Sequence, residues 1–148
     1  MNLTSHFTFE EMTDSVSHPK LVAQNRIDAQ KIMPALQCTA NGIEAIRIII
    51  NAPLNCSSGF RNPALNTAVE GSETSGHLKG RCADISTPAM DYQALFNTIK
   101  SHKIPNLYKC IGEGVKGKQW VHCEFRDGYT GEVQYYTSSD GKNYERVA

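Results

Sequence analysis

The chain has 148 residues, and its 15 basic and 15 acidic side chains cancel to a formal net charge of zero. Apolar residues make up 40% and charged residues 20%, which excludes a disordered chain, and the aliphatic run Ile46–Ile50 is broken by Arg47 and far too short to span a bilayer. Without a basic excess there is no electrostatic case for nucleic acid or an anionic membrane as partner, and the length suits a single domain, 1–148, around one core.

Five cysteines cannot all pair within one chain, so buried free thiols are expected. Met1-Asn-Leu-Thr-Ser-His-Phe7 lacks the basic start and apolar stretch of a secretory leader, which predicts synthesis as a cytoplasmic product. No repeat, linker or second module is visible; specificity has to come from one cleft.

Thr8-Phe-Glu-Glu11 has the spacing of a capping box and predicts a short helix. From Pro19 to about Ile50 the pattern is helical, with Pro19 suited to a first turn and Pro34 forcing a break or a fresh start; Leu21, Ile27, Ile43 and Ile46 are read as core. Leu54–Ser57 predicts a strand that delivers Arg61, and Asn62-Pro63 a cap followed by a first-turn proline. After His77 a return at Gly80 leads into a strand over Arg81–Ile85, with Cys82 and Asp84 on one face and Ala83 and Ile85 on the other. Tyr92, Leu95, Phe96 and Ile99 follow the spacing of an amphipathic helix whose stripe is core. Leu107–Ile111 and Trp120–Phe125 form a hairpin with 114–118 as an extended loop, and Asp140-Gly141 joins Val133–Thr137 to Tyr144–Val147 in another. The fold class is α+β, a small antiparallel sheet packed against helices.

Alternation along Trp120–Phe125 puts Trp120, His122 and Glu124 on one face. If this strand pairs with Arg81–Ile85, His77, Asp84 and His122 converge. Two imidazoles and a carboxylate suit zinc, and three protein ligands leave a fourth position open, as in catalytic rather than structural sites. The sheet would carry this site. Cys82 and Cys123 flank it, but Cys123 is expected to face away from His122.

Upstream stands Cys56-Ser-Ser-Gly59-Phe60-Arg61-Asn-Pro-Ala-Leu-Asn66. Together with Ser75-x-His77-x-x-Gly80-x-x-x-Asp84 and Trp120-Val-His122, in this order, it resembles the zinc peptidases of the D-alanyl-D-alanine carboxypeptidase and phage endolysin group, which share the hedgehog-type fold. The resemblance runs from about Phe7 to Phe125. It implies zinc, one per chain, on His77, Asp84 and His122. It also implies a substrate-contacting Arg61 that helps stabilise the reacting carbonyl oxygen, and a Ser75 that contacts substrate or supports the ligands. Asn66 has a structural or substrate-positioning role, and Trp120, next to the site, can line the cleft or serve packing as a large aromatic on a strand. Cys82 replaces the alanine common in relatives. Many relatives have an acidic residue three before the last histidine, where this chain has Gln119; a glutamine cannot take a proton, so Glu113 is the first candidate for the base and Glu124 the second. The partners implied are peptidoglycan stem peptides or cross-bridges, reached by a separate lysis system or from within a phage particle. A zinc-binding structural or virion-associated module without catalysis is the alternative.

Overall fold

The computed structural model describes residues 1–115 and 117–148. Helix α1 (Phe9–Met12) begins at Thr8, whose hydroxyl accepts the Glu11 N–H at 3.0 Å. The return half of a capping box is not made. Instead the Glu11 carboxylate accepts the Cys56 N–H at 3.3 Å, which ties α1 to the first strand.

Pro19 opens a short 3-10 turn, and α2 (Val22–Ala29) follows. Its inward face is Val22, Asn25 and Ala29, whereas Ile27 is 61% exposed and Leu21 only half-buried. The expectation of a core Ile27 is therefore corrected. The buried face goes to a polar residue because Asn25 satisfies three backbone groups: its amide donates to the Thr13 and Phe60 carbonyls at 2.9 and 3.0 Å, and its Oδ1 accepts the Asn62 N–H at 2.7 Å. Pro34 marks the fresh start, in the first turn of α3 (Met33–Ile50), where its missing N–H is harmless. Ile43 and Ile46 of α3 are fully buried.

Asn62 caps α4 (Pro63–Ala68) by accepting the Leu65 N–H at 2.8 Å, and Asp91 caps α5 (Tyr92–Lys100) in the same way through the Ala94 N–H. Leu95, Phe96 and Ile99 of α5 are buried in the core, as their spacing predicts.

Six strands form one sheet: β1 (Asn55–Ser58), β2 (Cys82–Ser86), β3 (Leu107–Val115), β4 (Lys118–Phe125), β5 (Gln134–Ser138) and β6 (Glu145–Val147), in the order β1-β2-β4-β3-β5-β6. All pairings are antiparallel except β3 with β5, so the sheet is mixed, and the portion carrying the predicted ligands is antiparallel as expected. β3 and β4 stay paired as far as Val115 opposite Lys118, so Gly114, Val115 and Lys118 of the predicted long loop over 114–118 belong to the strands; Lys116 lies outside the described residues. The hydrophobic cluster lies on the helix side, joining Leu36, Ile43 and Ile46 of α3 to Ala83, Ile85, Val121 and Phe125 of the sheet. All five cysteines are buried and free, as expected. Among the described residues no helix is long and apolar enough to cross a membrane.

Candidate metal centre

On the side of the sheet away from the hydrophobic cluster, strand register arranges polar side chains in rows. Asp84 of β2 stands opposite His122 of β4, which stands opposite Ile111 of β3. One row along, Trp120 faces Glu113; on the other side, Cys82 and Lys109 flank Glu124. Period-two alternation thus delivers Asp84, His122, Glu113, Trp120 and Glu124 to one surface.

His77 reaches this surface from a 3-10 turn, Gly76–Lys79. The Ser75 hydroxyl accepts the His77 N–H at 3.2 Å, and Gly80, at φ +70°, turns the chain back into β2. The imidazole is buried and its orientation is fixed: Nδ1–H donates to the Gly59 carbonyl at 2.6 Å, leaving Nε2 3.3 Å from Asp84 Oδ2. His122 Nδ1 lies 2.9 Å from Asp84 Oδ1, and the two imidazole rings are 5.1 Å apart.

One donor atom from each of His77, Asp84 and His122 lies within 4.8 Å of the others. Donors at about 2.0–2.1 Å from one tetrahedral zinc ion sit roughly 3.3 Å apart, close to the observed His–Asp separations. The donor types and the carbonyl behind His77 also match what zinc sites use, so the residues fit the ion. Cys123 faces the hydrophobic cluster, and Cys82 Sγ sits 3.9 Å from Glu124; neither joins the donor group among the described residues.

At His77 and Asp84 the electrostatics agree with this fit, whereas at His122 they favour a proton that an arriving ion must displace. Burial lowers the pKa of His77 and outweighs the pull of Asp84, keeping its ring neutral and able to ligate. For Asp84, burial alone would raise the carboxyl, but the charges and hydrogen bonds of His77 and His122 overcome it and hold the group far below the usual carboxylate range. Burial opposes charge on His122 too, yet Cys82 and Asp84 raise it well above an ordinary histidine.

The surroundings form a cleft of about 500 Å³ lined by His77, Asp84, His122, Arg61, Glu113 and Trp120, among others. Glu113 is only 7% exposed, and its Oε2 accepts the Trp120 indole N–H at 2.8 Å. Burial raises its pKa, opposed by His122 among others. Arg61 donates through Nη2 to Ser75 Oγ at 3.4 Å, while its buried Nε has no partner among the described residues. Glu124 also lines the cleft, but it is buried rather than solvated and is held by Arg126 Nε at 2.7 Å. Gln119 is exposed and pairs with Gly114, outside the row of Trp120 and His122.

Asn66 does not line the cleft. Its side-chain amide donates to the Ser72 carbonyl at 3.0 Å and its backbone carbonyl accepts the Gly71 N–H at 2.8 Å, so it braces the loop that forms one rim. A second cavity of about 530 Å³, between α5 and the β5–β6 end of the sheet, contains none of the three donor residues.

The sequence profile of the peptidase M15 family matches residues 5–124, a span that contains His77, Asp84, His122, Arg61 and Glu113. The chain belongs to the peptidase M15 family. M15 peptidases are zinc-dependent metallopeptidases, and the donor group of this member could hold that ion. No individually curated protein matches the chain. The M15 match ends in β4, yet Tyr136 and Tyr144, from beyond it, also line the cleft. Sequence reasoning passed over these two and the Glu124–Arg126 pair. The i, i+2 spacing of opposite charges on a strand was the available sign of that pair; for the tyrosines no local signal shows which strand β5 joins.

Proposed function

We propose that this M15 metallopeptidase hydrolyses amide bonds in peptidoglycan peptides, within stem peptides or cross-bridges, with one zinc ion per chain held by His77, Asp84 and His122. The observation that carries the hydrolytic reading is a buried carboxylate, Glu113, in the same cleft as a donor set that fits zinc. The wall substrate is supported by the ordered motifs Ser58-Gly-Phe-Arg61, Ser75-x-His77 through Asp84, and Trp120-Val-His122.

His77, Asp84 and His122 would hold the zinc, which would supply a Lewis acid able to activate a water and polarise the substrate carbonyl. Glu113 takes the proton of the attacking water and hands it to the leaving amine. Its position suits the task, because diagonal neighbours across an antiparallel pair, here Glu113 and His122, are roughly 7–8 Å apart, within reach of a carboxylate. The Trp120 indole holds one Glu113 oxygen, the other has no partner among the described residues, and burial moves the carboxyl toward the pKa a general base needs. Arg61 lines the cleft with a guanidinium suited to a carbonyl oxygen that gains charge or to a substrate carboxylate. Ser75 orients both Arg61 and the backbone of His77. Glu124 is committed to Arg126, which leaves Glu113 the better placed of the two carboxylates.

The proposal covers a carboxypeptidase that removes a terminal D-alanine and an endolysin-type endopeptidase, acting in phage lysis after release by a separate system or from the particle. Zinc-loaded protein and a chelator-treated control, incubated with stem peptides and cross-linked muropeptides and read by mass spectrometry, test it. A chelator-sensitive cut is expected, and its position separates the two modes. Zinc-loaded protein that cuts none of several wall chemotypes would instead indicate a zinc-binding structural or virion-associated module.

A further inference from the structure

The family match stops at Glu124, but the cleft continues into the C-terminal hairpin. Parallel pairing places Tyr136 of β5 beside Ile111, in the row of Asp84 and His122, and places Ser138 beside Glu113. The segment 126–133 passes the start of β3 to make this possible, anchored by the Arg126 and Gly128 N–H groups on the Asn106 carbonyl and side chain. Tyr136, Gly141 and Tyr144 then form a wall of the cleft.

This wall is firmly built. Asp140 Oδ1 accepts the Lys142 and Asn143 N–H groups, both at 2.8 Å, and Ser138 Oγ accepts the Gly141 N–H at 3.0 Å. Both phenols are used within the hairpin: Tyr144 donates to the Gly141 carbonyl at 2.9 Å and Tyr136 to Gln134 Oε1 at 3.3 Å. Both phenol protons are thus spent, and the wall offers a ligand ring surface and hydroxyl acceptors rather than an O–H donor. Tyr144 remains 47% exposed, a large aromatic surface left at the mouth of a polar cleft. It stands at the Glu113 end, since Ser138, beside Glu113, accepts the Gly141 N–H and the Gly141 carbonyl accepts the Tyr144 hydroxyl.

Proton delivery by Glu113 requires the leaving amine to lie within hydrogen-bond reach of it. The amine side of the substrate then runs toward Glu113, Ser138 and the hairpin tip. We propose that Tyr136 and Tyr144 form the subsite for the residue on the amine side of the cleaved bond and present an aromatic face to its side chain, a specificity element added to the M15 core by the C-terminal hairpin. The orientation of the substrate rests on the hydrolytic reading above; the contact itself does not.

Trp120 is the only tryptophan, and it lines the same cleft, so its fluorescence reports binding. The probe is a stem pentapeptide ending in D-alanyl-D-alanine, titrated onto zinc-loaded wild type, Tyr136→Ala, Tyr144→Ala and Tyr144→Phe. Loss of the Tyr144 ring is expected to weaken binding about tenfold and to raise KM similarly, with kcat changing less than about threefold and zinc content equal. Tyr144→Phe, which keeps the ring, restores binding. Alanine variants that bind as tightly as wild type, or a wild type that binds no peptide, would overturn the subsite. Binding that depends on the ring in a protein that never hydrolyses the peptide would retire the hydrolytic reading and leave the wall standing; hydrolysis with KM unchanged in both alanine variants would do the reverse.

Discussion

The four antiparallel strands β1-β2-β4-β3 and the hairpin β5–β6 serve one cleft by different means. In the first region the chemical groups are buried or half-buried and cross-braced: His77 is fixed by the Gly59 carbonyl, Asp84 by two histidines, and Glu113 by Trp120. In the second, polar groups are spent on the turn itself and the Tyr144 ring is left half exposed. Donor atoms for an ion must be held to within about 0.5 Å, which needs a packed, satisfied environment, whereas recognition of a peptide needs accessible area. Metal holding and substrate choice should therefore be separable by mutation.

The sharpest break of that separation is His77→Ala. It removes a donor at the most enclosed of the three positions, and zinc affinity is expected to fall by at least about a hundredfold, measured by metal analysis after dialysis. Full zinc content in this variant would reject the ligand set. Gly59→Ala probes the bracing behind it: a Cβ there would lie 2.3 Å from the Met12 carbonyl oxygen, so the backbone must shift. A loss of about 1–3 kcal/mol in urea denaturation is expected, accompanied by weaker zinc binding because the same residue orients His77. Stability within a few tenths of a kcal/mol of wild type would show that the bracing is slack.

Much of this first region was legible in the sequence because strand alternation is local. Knowing only that Cys82–Ser86 and Trp120–Phe125 are strands, the residues His122, Asp84 and Glu124 fall on one face, and Gly80 supplies the return to His77. What was not legible depended on partners distant in sequence. Ile27 reads as core by residue type, but the inward face of α2 went to Asn25 because Thr13, Phe60 and Asn62 needed its amide. Asn66 stands in a recognisable motif, yet its bonds run to Ser72 and Gly71 at the rim. The parallel pairing that brings Tyr136 to Ile111 leaves no trace in either segment alone.

Smaller effects sharpen the comparison. Glu124→Gln frees Arg126, a half-exposed partner whose pairing is screened by water, so less than about 1 kcal/mol of stability and less than about tenfold in hydrolysis should be lost. A loss of a thousandfold would make Glu124 the base. In the hairpin, the backbone N–H groups of Asn143 and Lys142 hold the Asp140 carboxyl at about 2, below its ordinary 3.8. A depressed carboxylate stabilises the folded turn above the ordinary value and loses that contribution as pH falls through the folded one, so the turn should loosen as pH drops from about 4 toward 2. The Lys142 and Asn143 amide resonances should titrate with a midpoint near 2. A midpoint at the ordinary value would show that the turn is not held by Asp140.

The most direct test of the account is to measure zinc content and stem-peptide hydrolysis side by side in wild type and Glu113→Gln. Both should carry about one zinc, and the variant should lose about 10²–10⁴-fold in kcat. A zinc-loaded Glu113→Gln protein that cuts at the wild-type rate would contradict the assignment of Glu113 and the mechanism built on it.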